Sequence, residues 1–396
     1  MNAHVPAAYL GDAMTTRVGD FISLRRDIHR QPELAFEEHR TADLVAAKLE
    51  GWGYEVTRGL GKTGVVGTLR RGSSPRSIGL RADMDALPIE ESGTQDWVSQ
   101  VPGRMHACGH DGHTATLLAA AQAIAQDTAF DGTVNLIFQP AEEGAGGALA
   151  MMADGLFEQF PCDQIFAFHN MPGHPVGHFV FRQGPTMASS DYATIRLHGV
   201  GGHGAMPHQS RDPIVAASSI VMALQTLVAR NVDPLQTAVV TVGALHAGQA
   251  NNVIPQEARM ELSLRALDPQ VRTLLKQRLF ELVEAQAASF GVRAEIDFRQ
   301  GYAVLVNHEA PTRLATELAT ELFGPERVTP QGVPLTGSED FAFMLERVPG
   351  CYLLIGNGQG EQGGCMVHNP GYDFNDEIIA PGALFWRELV KRCLPC

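Results

Sequence analysis

Between Met105 and His113 the chain carries one thiol, three imidazoles and an acid: Met105-His106-Ala107-Cys108-Gly109-His110-Asp111-Gly112-His113. The doublet Glu142-Glu143 follows, and His169-Asn170 and His368-Asn369-Pro370 stand further on. Cysteine, histidine and glutamate are the ligands that a borderline-soft divalent ion prefers. Two adjacent carboxylates can divide the work, one binding metal and one handling a proton. The chemistry to expect from this set is metal-dependent hydrolysis.

Taken singly, each part has a plainer reading. A Cys-x-His just ahead of a helix also describes a buried thiol beside a helix-capping histidine. Glu142-Glu143 alone could be a solvated acidic turn, but the apolar strand before it and Gly144-Ala145-Gly146-Gly147 after it favour a tightly packed loop. His169 and His368 alone could be ordinary surface histidines. Several ligand-type positions, each at a strand or loop end, argue jointly for a metal centre. Asp83 and Asp85 share one strand end, where one of them could orient a ligand histidine from behind. The other reading of that pair is an Asx turn ahead of Leu87-Pro88.

The elements that must position these groups are legible as alternating patterns. Phe21 to Gly53 reads as two helices broken at Gln31-Pro32. Short strands follow at Tyr54-Thr57, Gly64-Leu69 and Ser77-Ala82. Asp111 to Ala125 reads as a helix, with the Cys108-His110 run just ahead of it. Thr133-Phe138 and Gln164-Phe168 are buried-type strands ending at the glutamate doublet and at His169. Ligands of open α/β sheets gather at the carboxyl ends of strands, so groups distant in sequence can converge there. Past Gly184 the order becomes strand (Tyr192-His198), helix (Pro213-Asn231), strand (Thr237-Leu245), strand (Ala258-Leu267), helix (Pro269-Phe290), strand (Arg293-Arg299). That βαββαβ order is ferredoxin-like. A helix (Glu309-Phe323) and a strand (Tyr352-Ile355) then resume the first pattern, so one domain interrupts another.

Bulk properties narrow the class. At 396 residues the chain is too long for one small core, and its 44% apolar content can fill two. A net charge of -14 argues against nucleic acid and anionic membranes as partners. Met1 to Asp20 shows no basic segment followed by an apolar run, and no membrane span is expected. The six cysteines follow no spacing pattern and are expected to be reduced, as in a soluble cytoplasmic protein. A nucleotide-binding reading, prompted by the glycines after Glu143, fails because no Gly-x-Gly-x-x-Gly run joins a strand to a helix and no Walker-type lysine is present.

Seven runs together carry a family resemblance. They are Arg81-Ala82-Asp83-Met84-Asp85-Ala86-Leu87-Pro88, the Met105-His113 run, Pro140-Ala141-Glu142-Glu143-Gly144, Gly202-His203-Gly204-Ala205-Met206-Pro207-His208, Asn252-Val253-Ile254-Pro255, Gly337-Ser338-Glu339-Asp340-Phe341 and His368-Asn369-Pro370. In order and spacing the chain resembles the amidohydrolase branch of the aminoacylase/carboxypeptidase G metallopeptidases, which holds hippurate hydrolases, N-acetyl-diaminopimelate deacetylases and plant indoleacetyl-amino acid hydrolases. The resemblance implies an α/β fold: a three-layer, di-metal zinc-peptidase-like catalytic domain of residues 1–184 and 302–396, with a ferredoxin-like α+β lid and dimerisation domain, residues 185–301, inserted in it.

The same resemblance implies two divalent ions per subunit (zinc, manganese or nickel) held by Cys108, His110, Glu143, His169 and His368. Glu142 is then the general base, Asp85 belongs to the catalytic set, and His203 donates to the oxyanion from the partner subunit's inserted domain. Asn252 and Arg265 receive the free carboxylate of the substrate, a role that suits a guanidinium. The wider superfamily often has His-x-Asp where this chain has Asp83-Met84-Asp85, and a bridging aspartate where it has Cys108; the bridging ligand and the role of Asp83 stay open. The implied substrate is a small N-acyl-L-amino acid and the implied assembly a homodimer or homotetramer. A dipeptidase, carboxypeptidase or N-carbamoyl amino acid hydrolase would use the same scaffold with a different acyl pocket, for which 95–103 and 356–365 are candidate loops. A relative that binds metal but has lost catalysis is disfavoured by the intact glutamate pair.

Overall fold

The structure is a computed structural model that describes residues 18–361 and 363–396. Most of the amino-terminal segment on which the absence of a leader was argued, up to Arg17, lies outside the described residues, as does Gln362 in one candidate loop. The chain divides into two compact units, Met1–Gly184 with Asn307–Val333 and Phe343–Cys396, and Pro185–Val306 with Pro334–Ala342. The second unit thus extends to Val306 and takes in the Gly337-Ser338-Glu339-Asp340 run. Short loop segments carry too little periodicity to reveal which core they join.

The first unit is built on an eight-stranded mixed sheet. Its order is Glu55–Leu60, Gly64–Arg71, Gly132–Gln139, Ser77–Asp83, Gln164–Pro172, Gly350–Gly358, Phe179–Val180, Val328–Thr329. The four central strands, Gly132–Gln139 through Gly350–Gly358, are mutually parallel. Ser77–Asp83 and Gly350–Gly358 are buried at every position. Strands covered on both faces usually read as apolar runs; the buried charges of Ser77–Asp83 are Arg81 and Asp83, which pair with each other. Because the four run parallel, their carboxyl ends share one edge, and Asp83 sits opposite Gln139 there. The helix His110–Gln126 is almost wholly buried, and Leu117 and Leu118 share one core with Phe138, Phe166, Phe168 and Trp386. An apolar helix buried on nearly all sides is a fixed platform for whatever its first turn carries.

Two boundaries differ from the sequence reading in ways that matter. His110 is the first residue of its helix, with Gly109 as N-cap, rather than lying ahead of it. The strand Gln164–Pro172 runs through His169 and Asn170 instead of stopping at Phe168. Pairing with Gly350–Gly358, in which His169 faces Leu354, extends the ladder beyond what the apolar run predicts.

The second unit has a four-stranded antiparallel sheet in the order Ala238–Ala247, Glu257–Ala266, Ser189–His198, Arg293–Gln300. That is the ferredoxin-like arrangement of a βαββαβ chain. Its helices Pro213–Asn231 and Pro269–Ser289 begin alike: Asp212 and Asp268 accept backbone N–H groups at the N-cap, and proline fills the first turn. This satisfies orphan donors where proline's missing N–H costs nothing. By length and composition alone Pro213–Asn231 would suffice to cross a membrane, a test that a core helix of a folded domain also passes. Ser218, Ser219, Gln225 and Thr226 break the apolar run without adding charge. In this unit the helix buries Ala216, Ala217, Ile220, Leu224 and Leu227 in the core it shares with the sheet.

Candidate metal centre

Gly109 sets the geometry of the centre. It takes φ 90°, and a Cβ there would collide with the Asn170 amide and the Tyr372 hydroxyl. Only glycine suits both demands, and the tight turn lets Cys108 and His110 face the same space. The ligand atoms of Cys108, His110 and His169 lie within 4.8 Å of one another. Those of Cys108, Glu143 and His368 do too, as do those of His110, Glu142 and Glu143. The structure therefore gathers Cys108, His110, Glu142, Glu143, His169 and His368, drawn from a helix start and the loop before it, the turn after the strand Gly132–Gln139, the interior of the strand Gln164–Pro172 and a later loop. Cys108 Sγ stands 3.2 Å from His169 Nε2, and His368 Nε2 3.1 Å from Glu143 Oε1.

His368 reaches the cluster from a left-handed backbone with φ 66°, its N–H bonded to the Ala107 carbonyl at 2.7 Å. Asp85 lies behind the cluster. One oxygen is 3.1 Å from His110 Nδ1, and the other accepts the Glu143 N–H at 2.9 Å. Asp83 takes a different partner: its Oδ1 is 2.6 Å from His113 Nδ1, while Arg81 donates to Oδ2 at 2.7 Å. Both aspartates thus back histidines, although the strand itself ends at Asp83.

His113 had no assigned role. Its Nε2 is 2.7 Å from Asn170 Oδ1, and the Asn170 amide donates to the Tyr372 hydroxyl. The available signal was helical spacing, since residues i and i+3 such as His110 and His113 share a face.

The donor set fits divalent ions. His110 Nε2 is buried and has no hydrogen-bond partner, while Asp85 occupies its Nδ1. Burial, and then the charges of Glu143, Glu142 and Asp83, push the Cys108 thiol well above its usual value. Burial works against a charged His110, yet Asp83 and Asp85 outweigh it and raise its pKa to about 10. Burial and then the His113 charge push His169 well below the usual imidazole range. Carboxylates packed around a protonated thiol invite a cation in place of the proton, which would make the thiol a thiolate ligand. Sulfur, imidazole and carboxylate together suit a borderline-soft ion.

The remaining candidates lie in the second unit. His203, in the short strand Gly202–His203, pairs with Val253, and Gly204 N bonds to the Asn252 carbonyl at 2.8 Å. His203 and Asn252 are both exposed. Arg265 is half-buried on Glu257–Ala266 and donates to the Ser338 hydroxyl at 3.1 Å.

A mixed α/β sheet with a cluster of cysteine, histidine and glutamate side chains able to hold metal is the arrangement of a metallopeptidase-type hydrolase. The chain belongs to peptidase family M20/M25/M40, whose profile matches residues 79–392. It is 44% identical to a hippurate hydrolase of Campylobacter jejuni, across 95% of this chain and 97% of that protein. It is 37% identical to an N-acetyl-L-cysteine deacetylase of Bacillus subtilis, across 96% and 90% of the two chains. Among solved structures it resembles a dinuclear metal binding peptidase of the M20 family from Bacillus subtilis, with TM-score 0.82 and 32% identity over 95% of this chain and 98% of that one.

Proposed function

We propose that this protein is a metal-dependent amidohydrolase that splits N-acyl-L-amino acids into a carboxylate and a free amino acid. The observation that carries the reading is the Glu142-Glu143 pair held against His110 in a cluster with Cys108, His169 and His368. The hippurate hydrolase and deacetylase relatives support the substrate class.

Cys108, His110, Glu143, His169 and His368 are the proposed ligands of two divalent ions, with zinc, manganese and nickel the candidates. Bound there, such ions would polarise the amide carbonyl and lower the pKa of a water from about 15.7 toward about 7. Glu142 takes a proton from the attacking water and delivers it to the leaving nitrogen. Asp85 fixes the His110 ring so that Nε2 faces the cluster. His203 donates to the oxyanion as charge develops on it. Asn252 and Arg265 hold the substrate carboxylate. Among the described residues Arg265 has the neutral Ser338 hydroxyl as partner rather than an acid, which leaves its charge for an anion.

In this reading His203 serves the site of a second copy, so the working form is a homodimer. The sheet of the second unit ends in the strand Ala238–Ala247, where Val239 and Leu245 are exposed. Ile214, Val215 and Met222 add exposed apolar surface on the helix Pro213–Asn231. An open edge strand beside apolar side chains supports pairing with a second copy.

The test is amine release from hippurate, N-acetyl-amino acids, N-carbamoyl-amino acids and dipeptides, using chelated protein with and without zinc, manganese or nickel. Metal-restored cleavage of the N-acyl compounds is expected. Silence across the whole panel with metal bound would remove the reading. Cleavage of dipeptides or carbamoyl compounds alone would reassign the acyl pocket.

A further inference from the structure

The peptide ahead of the glutamate pair is held in a conformation its residue type disfavours. Ala141 is fully buried and has φ 53°. A residue with a Cβ avoids the left-handed region, and persists there only when its surroundings insist. Its carbonyl accepts the Gly147 N–H at 3.0 Å, and its own N–H donates to Glu38 Oε1 at 2.9 Å. That same oxygen accepts the N–H of Phe36 at 3.0 Å, and Phe36 is a second left-handed non-glycine residue, with φ 64°. The other carboxylate oxygen of Glu38 accepts the Thr63 hydroxyl. One buried oxygen therefore ties together two strained peptides far apart in sequence.

Glu38 is not needed for the helix it precedes. It is the N-cap residue of His39–Gly51 yet makes no side-chain cap bond. The first turn is capped by Glu33, whose two oxygens accept the N–H groups of Arg40 and Thr41 at 2.8 and 2.9 Å. The Glu38 carboxylate is turned away from its own helix toward the loop carrying Glu142 and Glu143. With the Asp85 bond to the Glu143 N–H, that loop is pinned from two sides. We propose that Glu38 is a positioning residue for hydrolysis: by accepting the Ala141 N–H it holds the left-handed turn that aims Glu142 and Glu143. This rests on the roles given to those two residues above.

The experiment combines Glu38→Ala with Ala141→Gly, because glycine adopts the left-handed turn without being held there. Glu38→Ala should lower kcat by about 10- to 100-fold, the size of effect a misplaced catalytic group produces. Adding Ala141→Gly should recover most of that loss, a coupling that a general loss of stability would not show. Glu38→Gln keeps an acceptor oxygen and should retain most of the rate. If Glu38→Ala does not fold, Glu38→Asp replaces it, since its carboxylate keeps the charge but retracts by one methylene. Unchanged kcat in the shortened variant, or a loss that Ala141→Gly leaves in place, overturns the proposal. Amide exchange at Ala141 separates this idea from the hydrolase reading. Faster exchange in the Glu38 variant supports the lock even if no panel compound is cleaved by the native chain. Unaltered exchange overturns the lock even if the native chain is active.

Discussion

Asp85 binds His110 through one oxygen, at 3.1 Å from Nδ1, and the backbone of Glu143 through the other, at 2.9 Å. One carboxylate thereby sets the ring orientation of one proposed ligand and the chain position of another. Removing such a partner usually costs about 10- to 100-fold in metal affinity. Asp85→Ala should weaken zinc binding by that order in a chelator competition. An unchanged affinity would take Asp85 out of the site's support.

Adjacent glutamates with different tasks should fail differently. Glu142→Gln should keep bound metal and lose at least about a hundredfold in kcat, the range of general-base contributions. Glu143→Ala should lose metal first and recover part of its rate at high metal concentration. Metal content by elemental analysis, read beside kcat, decides it: metal loss in Glu142→Gln would make that residue a ligand.

A buried charge cluster under the same helix start should govern stability against pH. His29 Nδ1 lies 2.8 Å from Asp111 Oδ2, and Arg25 Nε 3.4 Å from that same oxygen. Burial opposes a charged His29, but Asp111 and Glu91 prevail and raise its pKa from 6.5 to about 9. The folded state then binds a proton that the unfolded state releases between those values. The stability His29 adds is complete below pH 6.5 and is lost as pH rises through about 9, by at most about 3 kcal/mol. Asp111 works in the opposite direction. Burial favours its neutral form, but Arg25 and His29 hold its pKa far below the usual 3.8, so its contribution is lost only in acid. Urea unfolding from pH 6 to 10 should show the alkaline decline, and His29→Gln should flatten it. A native curve already flat across that range would contradict the assignment.

The dimer proposal has a direct test in mixed subunits. Glu142→Gln and His203→Ala should each be nearly inactive alone. Mixed after dissociation and reassociation, they should regain about a quarter of native activity, because half the dimers are mixed and each holds one intact site. No recovery, with exchange of subunits demonstrated, would return His203 to its own subunit or to the surface.

Much of this protein was written in local pattern. The grouping of Cys108, His110, the glutamate pair, His169 and His368 was legible because candidate metal-ligating residues are a short list of types in a recognisable order. The βαββαβ order of the second unit was legible because apolar periodicity and the Asp-Pro helix starts at 212–213 and 268–269 are local signals. What only the tertiary structure decided depends on contacts between distant segments. His169 sits within a strand because pairing with Gly350–Gly358 extends it. Pro334–Ala342 joins the second unit although the chain on both sides of it belongs to the first. Asp83 takes His113 while Asp85 takes His110, a division that two aspartates one residue apart cannot reveal by themselves. The left-handed Ala141 and its tie to Glu38 are hidden for the same reason. Backbone strain is set by the group that holds it, and here that group is 103 residues away in sequence and 2.9 Å away in space.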